Sequence, residues 1–307
     1  VSNFKLRKST FSGLNLHTQD YGINNGYLFN LNRKKMNTKS KIILAFLLIV
    51  VYACATNPFT GKKSLNLISN NQIFSSSFQQ YGEFLKENKV IKGTTDANRI
   101  VSVGEKIRKA AEMYLKSVNQ SDYLNEYAWE YNLVDDPSVN AWCMPGGKIV
   151  FYTGILPICK DDAGIATVMG HEVAHALLNH GKSRMQTAMG LQLGEQIVGV
   201  ATANQSAITQ QAVALAYTGI GQFGVMLPFS RSDETEADEI GLLLMALAGY
   251  NPDNAITFWQ RMAANSGGAA PPQWMSTHPS NTTRISNIQK LIPNVKQQAA
   301  KFGVTFK

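Results

Sequence analysis

His171-Glu172-Val173-Ala174-His175 reads H-E-x-x-H within the otherwise apolar, Ala-rich stretch from Ala163 to Leu178. The stretch predicts a helix, and spacing i, i+4 puts both imidazoles on one face with Cβ atoms about 5–6 Å apart. Two imidazoles so placed can reach one Zn²⁺ at about 2.0–2.1 Å each. Glu172 falls one step round the helix, beside such a metal, where it can take a proton from water. One pentapeptide therefore constrains both a helix of the core and the chemistry on its face.

A catalytic zinc needs three protein ligands and one open position. His180 does not fit the metzincin spacing, which wants Gly and His at the positions held by Leu178 and Gly181. His180 reads instead as a histidine supporting the site or closing the helix C-terminus, where cations are favoured, with Gly181 as the residue after the end. Two glutamates compete for the third ligand. Glu195 lies 20 residues beyond His175, a thermolysin-like spacing, and Glu234 lies 59 beyond. Glu234 has its own helix start, with Ser230 as N-cap and Asp233 three residues on. Asp238 shares its face at i+4. A metal-bound His passes its other N–H to a carboxylate, so Glu234 as ligand with Asp238 behind the histidine supplies both parts. Glu195 has Gly199 at i+4, so Glu234 is preferred.

H-E-x-x-H followed at long spacing by Glu234-Thr235-Glu236-Ala237-Asp238 resembles the gluzincin metallopeptidases of peptidase family M forty-eight. The run Asn140-Ala141-Trp142-Cys143-Met144-Pro145-Gly146-Gly147 resembles that family's strand and turn upstream of the zinc helix. Leu227-Pro228-Phe229-Ser230-Arg231 resembles its lead-in to the third ligand, and Thr277-His278-Pro279-Ser280 with Arg284-Ile285 its downstream segment. Asn57-Pro58-Phe59-Thr60-Gly61 is similar to the start of the family's bacterial envelope lipoproteins, so the likeness runs over roughly 54–292. The resemblance implies zinc-dependent endopeptidase activity, with one Zn²⁺ on His171, His175 and Glu234 and with Glu172 as base. It also implies that His278 can enter the open zinc position and hold the enzyme inactive. His278 and Arg231 are alternatively candidate oxyanion donors.

The formal charge of +8 invites a search for an acidic partner, but residues 1–53 hold eight of the 29 Lys and Arg and one of the 21 acidic residues. The remainder is almost neutral, which gives no support for nucleic-acid binding. Residues 1–35 read as an over-extended start. Residues 36–53 read as a signal peptide: a short basic run from Met36, then ten apolar residues, Ile42 to Val51. Val51-Tyr52-Ala53-Cys54 resembles a lipoprotein box, so Cys54 is expected to carry lipid. The expected location is the bacterial cell envelope, anchored in the outer membrane and facing the periplasm. Export permits a Cys143–Cys159 disulfide; two buried free thiols are the other reading.

Residues 54–70 read as a polar tether and 71–307 as the catalytic domain. The expected fold is α+β and mostly helical, zincin-like, with a small β-sheet next to the H-E-x-x-H helix. Helices are predicted at Asn71–Leu85, Thr95–Val118, from Asp161 or Asp162 through the motif, from Ser230 to about Ala248, and at Asn254–Ala264 and Asn281–Leu291. Strands are predicted at Ala128–Leu133, Asn140–Met144 and Lys148–Tyr152, with Pro145-Gly146-Gly147 as a turn. Over 185–227 only Glu195 is charged, and this segment is expected to form helices covering the site, as core or as a movable lid. The strand bearing Asn140, Ala141 and Trp142 is expected to pair with an extended substrate. The function expected is proteolysis of unfolded or misassembled envelope proteins. Alternatives are a zinc-bound chaperone or adaptor lipoprotein and a processing protease with one substrate.

Overall fold

The computed structural model describes residues 37, 54–66, 68–188, 190, 229–265, 272–278 and 283–306. Residues 1–48 form one unit and 49–307 another, and every helix and strand named below belongs to the second. The leader 36–53 (apart from Asn37), Glu195, most of the expected lid and most of the Gly/Pro-rich connector before His278 lie outside the described residues.

Two amphipathic helices lead the domain. Helix α1 (Asn70–Glu87) starts at a reciprocal cap between Ser69 and Gln72, and α2 (Thr95–Ser117) starts at Thr94. The predicted stripe of α2, Ile100, Val103, Ile107, Ala110 and Ala111, is fully in the core. The sheet comprises β3 (Val90–Ile91), β4 (Glu130–Val134), β5 (Ala141–Met144) and β6 (Lys148–Tyr152), in the order β3-β4-β6-β5. Strand β6 runs parallel to β4 and antiparallel to β5. The β5–β6 turn falls at the predicted glycines, with φ of +88° at Gly146 and +85° at Gly147, a region glycine enters without a Cβ penalty. Strands β3 and β5 are the two edges of this sheet.

Short α3 (Leu156–Cys159) leads into the motif helix α4 (Asp162–Leu177), capped by the Asp161 side chain on Gly164 N–H. Every residue from Gly164 to Leu177 is buried. A helix apolar on all sides is one packed on all sides, and α4 is covered by α2, by β5, by α5 (Arg231–Leu247) and by α6 (Asn254–Asn265). Helix α7 (Gln273–Thr277) and helix α8 (Arg284–Ala300) complete the described chain.

The tightest approach is between α4 and α5. A Cβ on Gly170 would lie 2.6 Å from the Gly241 carbonyl oxygen, and one on Gly241 would lie 2.8 Å from the His171 nitrogen. Two glycines therefore let the backbones touch one residue away from the first motif histidine. That crossing brings the face of Glu234 and Asp238 against the face of His171 and His175.

Several expectations change. Part of the expected tether is structured: β1 (Cys54–Thr56) and β2 (Lys63–Leu65) form a hairpin whose Phe59 is buried and stacked on Tyr114 at 4.8 Å. An apolar ring in a polar run is enough to dock it. The left-handed residue after the motif helix is Asn179, φ +59°, rather than Gly181, which sits in a helical run over 180–188. Asn tolerates this conformation through its short polar side chain. Helix α8 continues past Pro293 to Ala300, kept by buried Val295 and Ala299. Cys143, half-buried on β5, and Cys159, buried at the end of α3, are free thiols. Among the described residues, no helix is long and apolar enough to cross a membrane.

Candidate active site

The H-E-x-x-H face of α4 meets the Glu234 face of α5 in a buried polar cluster. His171, His175, Glu234 and His278 each offer one ligand atom, all within 4.8 Å of one another. His171 Nε2 and His175 Nε2 are 3.1 Å apart, His175 Nε2 is 3.3 Å from Glu234 Oε1, and His171 Nε2 is 3.6 Å from Glu234 Oε2. Four ligands at about 2.0–2.1 Å from a tetrahedral zinc lie about 3.3–3.4 Å apart. The three distances, which end on the two Glu234 oxygens in turn, bracket that value, so a carboxylate using either or both oxygens lets the donor set fit one Zn²⁺. Two imidazole Nε2 atoms facing each other at this distance also suit a shared cation better than each other.

The outer nitrogens are held too. His171 Nδ1 lies 3.1 Å from Asp238 Oδ1, the carboxylate arrangement that fixes a ligating imidazole. His175 Nδ1 lies 2.9 Å from His180 Nδ1, and His180 Nε2 faces Asp233 Oδ1 at 3.8 Å and Glu236 Oε2 at 3.9 Å. His180 thus supports His175 from outside, and it also opens the helical run after α4. Burial lowers the His175 imidazole far below its usual range, favouring the neutral form a metal requires.

Arg284 from α8 closes the cluster. Its Nη1 donates to Glu234 Oε2 at 2.8 Å and its Nη2 to Asp238 Oδ1 at 2.6 Å. The guanidinium lies over the Trp259 ring, 3.7 Å from its centroid. Burial alone would raise both carboxyls. For Glu234 the hydrogen bonds from His175 and His278 and the charge of Arg284 outweigh it, and for Asp238 the Arg284 charge does. Both are held below the ordinary carboxylate range.

Glu172, buried beside the tripod, accepts a 2.6 Å hydrogen bond at Oε1 from Trp274 Nε1, and His278 Nε2 lies 3.4 Å from the same oxygen. His278 Nδ1 is 2.9 Å from Glu234 Oε1 and 3.3 Å from His171 Nε2. Both side chains come from α7 and its end, and the Trp274 backbone N–H bonds to the Val139 carbonyl at 3.0 Å, just before the edge strand. Ala141 is buried, whereas Asn140 and Trp142 are partly exposed; the Trp142 ring packs edge-on against Tyr81 and Phe84.

The structure therefore brings together His171, Glu172, His175, Glu234, Asp238 and His278. It does not bring in Arg231, whose side chain is solvent-exposed in the first turn of α5. A buried guanidinium is tolerated only when paired, and the one paired here is Arg284. Sequence reasoning assigns no role to Trp274 or Arg284. The downstream segment containing Arg284 is the one available signal for it. Trp274 leaves none, since α7 is too short for periodicity.

The fold and the cluster define a zincin-like metallopeptidase domain. The profile of peptidase family M48 matches residues 104–292, more than half of the chain. The chain belongs to peptidase family M48.

Its relatives include the mitochondrial metalloendopeptidase OMA1 of Schizosaccharomyces pombe, 37% identical over 59% of this chain and 52% of the relative. The mitochondrial metalloendopeptidase OMA1 of Homo sapiens is 29% identical over 81% of this chain and 48% of the relative. The metalloprotease YcaL of Escherichia coli is 22% identical over 81% of this chain and 98% of the relative. The chain spans about half the length of these mitochondrial relatives. They also correct the expected bacterial outer-membrane location: relatives from fungi, plant and animals at 29–37% identity are named as mitochondrial enzymes. The leader and Cys54 readings belonged to that location. The leader apart from Asn37 lies outside the described residues, and of Cys54 only the β1 backbone is described.

Proposed function

We propose that this chain is a zinc-dependent metalloendopeptidase acting on unfolded or misassembled polypeptides. The observation that carries the reading is the near-tetrahedral spacing of His171, His175 and Glu234 with Glu172 alongside. Zinc bound there would supply Lewis acidity toward a carbonyl oxygen and lower the pKa of water. Glu172 accepts the proton of the attacking water at its carboxylate and returns it to the leaving amine. Asp238 and Arg284 hold the His171 ring and the Glu234 carboxylate in place. An extended substrate adds to the free edge of β5 through its backbone, a mode that reads main chain rather than sequence and so suits unfolded protein.

His278 gates the site in this reading. Its Nδ1 faces both His171 and Glu234, as a fourth ligand does, and withdrawal of α7 frees that position. His278→Ala is then expected to raise basal cleavage; a fall of about 10²–10³-fold would make it an oxyanion donor instead.

Casein cleavage by the full chain tests the function. It should be lost on zinc chelation, restored by added zinc and absent in Glu172→Gln. Equal cleavage by Glu172→Gln would contradict it, and a zinc-loaded chain inactive on casein would favour an adaptor or a dedicated processing enzyme.

A further inference from the structure

Lys182 is buried, 7% exposed, yet no carboxylate among the described residues pairs with it. Its Nζ donates to two neutral acceptors, Asn66 Oδ1 and Asn70 Oδ1, the latter at 2.7 Å. An ammonium withdrawn from water costs several kcal/mol unless it is paired, and two amide oxygens supply no counter-charge. Burial lowers its pKa, and the Glu126 carboxylate, which forms no ion pair with it, offsets this only in part.

Beside it lies a cavity of about 70 Å³ lined by Thr56, Ser64, Asn66, Asn70, Ser183 and Lys182 among others. One water needs about 10–15 Å³ on this measure, so the space holds several heavy atoms. Its lining is rich in donors. With their Oδ1 atoms accepting from Lys182, Asn66 and Asn70 keep their amide N–H groups, and the hydroxyls can turn toward a ligand. Each wall comes from a different part of the chain: the β1–β2 hairpin, the start of α1 and the helical run after α4. On the same side, the Asn57 amide at 2.8 Å and the Tyr123 hydroxyl at 2.7 Å both donate to the Leu177 carbonyl at the end of the motif helix.

We infer that this cavity is a binding site for a small oxyanion of the phosphate class, with Lys182 as the counter-charge and the Asn66 and Asn70 amides as flanking donors. The bound anion fastens the N-terminal hairpin to the segment after the zinc helix. Inorganic phosphate and a phosphate monoester share this chemistry.

The test is titration of the full chain with inorganic phosphate and, separately, glycerol phosphate at constant ionic strength, read by calorimetry and by limited proteolysis of residues 54–69. Saturable one-to-one binding of either, with protection of the hairpin at least about tenfold slower to cut, is expected for the wild type. Lys182→Met should abolish both effects. Asn70→Asp supplies an internal carboxylate for Lys182, so this variant should fold at least as stably and also lose the binding. Absence of saturable binding to the wild type, or binding retained in Asn70→Asp, would overturn the assignment.

Discussion

Replacing Gly241 by Ala tests whether the helix crossing sets the zinc site. The added Cβ would stand 2.8 Å from His171 N, 2.9 Å from the Gly170 carbonyl carbon and 2.9 Å from His171 Cα. All three are backbone atoms, so no side chain can swing away. Restoring van der Waals contact at about 3.5 Å or more requires α4 and α5 to part by roughly half an ångström or more. Overpacking of this kind costs about 1–3 kcal/mol, while Ala regains up to about 1 kcal/mol of helix propensity over Gly. Net loss of stability without metal is therefore small, about 0–2 kcal/mol. Metal geometry is less forgiving, because ligand distances must hold within about 0.2 Å. A shift of the crossing moves His171 and His175 on one helix away from Glu234 on the other. Zinc affinity is expected to fall by about 10–100-fold, comparable to loss of a supporting residue. Thermal unfolding of the metal-free protein and zinc competition against a chelator separate the two effects. Unchanged zinc affinity in a folded Gly241→Ala protein would refute the argument. Gly82→Ala is the control: nothing lies within 4 Å of its added Cβ, so a gain of about 0.5–1 kcal/mol is expected in urea unfolding.

Arg284→Met leaves Glu234 and Asp238 buried with only histidines as partners and should cost about 3–5 kcal/mol without metal, measured by denaturant unfolding; a loss below about 1 kcal/mol would show the pairs are not formed. Trp274→Phe keeps a ring beside Trp259 but removes the N–H donated to Glu172, and about 1.5–3 kcal/mol of stability should go with that charge-assisted bond; no change in Tm would contradict it. Glu172→Gln should retain zinc and fold while lowering proteolysis by at least about 10²-fold, checked by zinc content beside casein cleavage.

Much of the site is readable in the sequence because its signals are local. His171, Glu172 and His175 are fixed by helical spacing alone, and Ser230 with Asp233 announces the helix that presents Glu234 and Asp238. The β5–β6 turn is visible because only glycine suits the φ of both Gly146 and Gly147. What stays hidden depends on contacts remote in sequence. Trp274 meets Glu172 across 102 positions and Arg284 meets Glu234 across 50; neither spacing carries a periodicity. The parallel pairing of β4 with β6, around the intervening β5, leaves no trace in the alternation of any one strand. The predicted end of α8 at Leu291 falls short because Pro293 removes one donor, a cost the helix's buried face outweighs. The hairpin at 54–65 reads as a tether because one buried ring, Phe59, is too little pattern to see in a polar run.

Zinc content per chain, measured on purified wild type, Glu234→Gln and Glu195→Gln, tests the central claim most directly. The tripod of His171, His175 and Glu234 predicts one zinc in the wild type and in Glu195→Gln, and far less in Glu234→Gln. Full occupancy in Glu234→Gln together with loss in Glu195→Gln would contradict it.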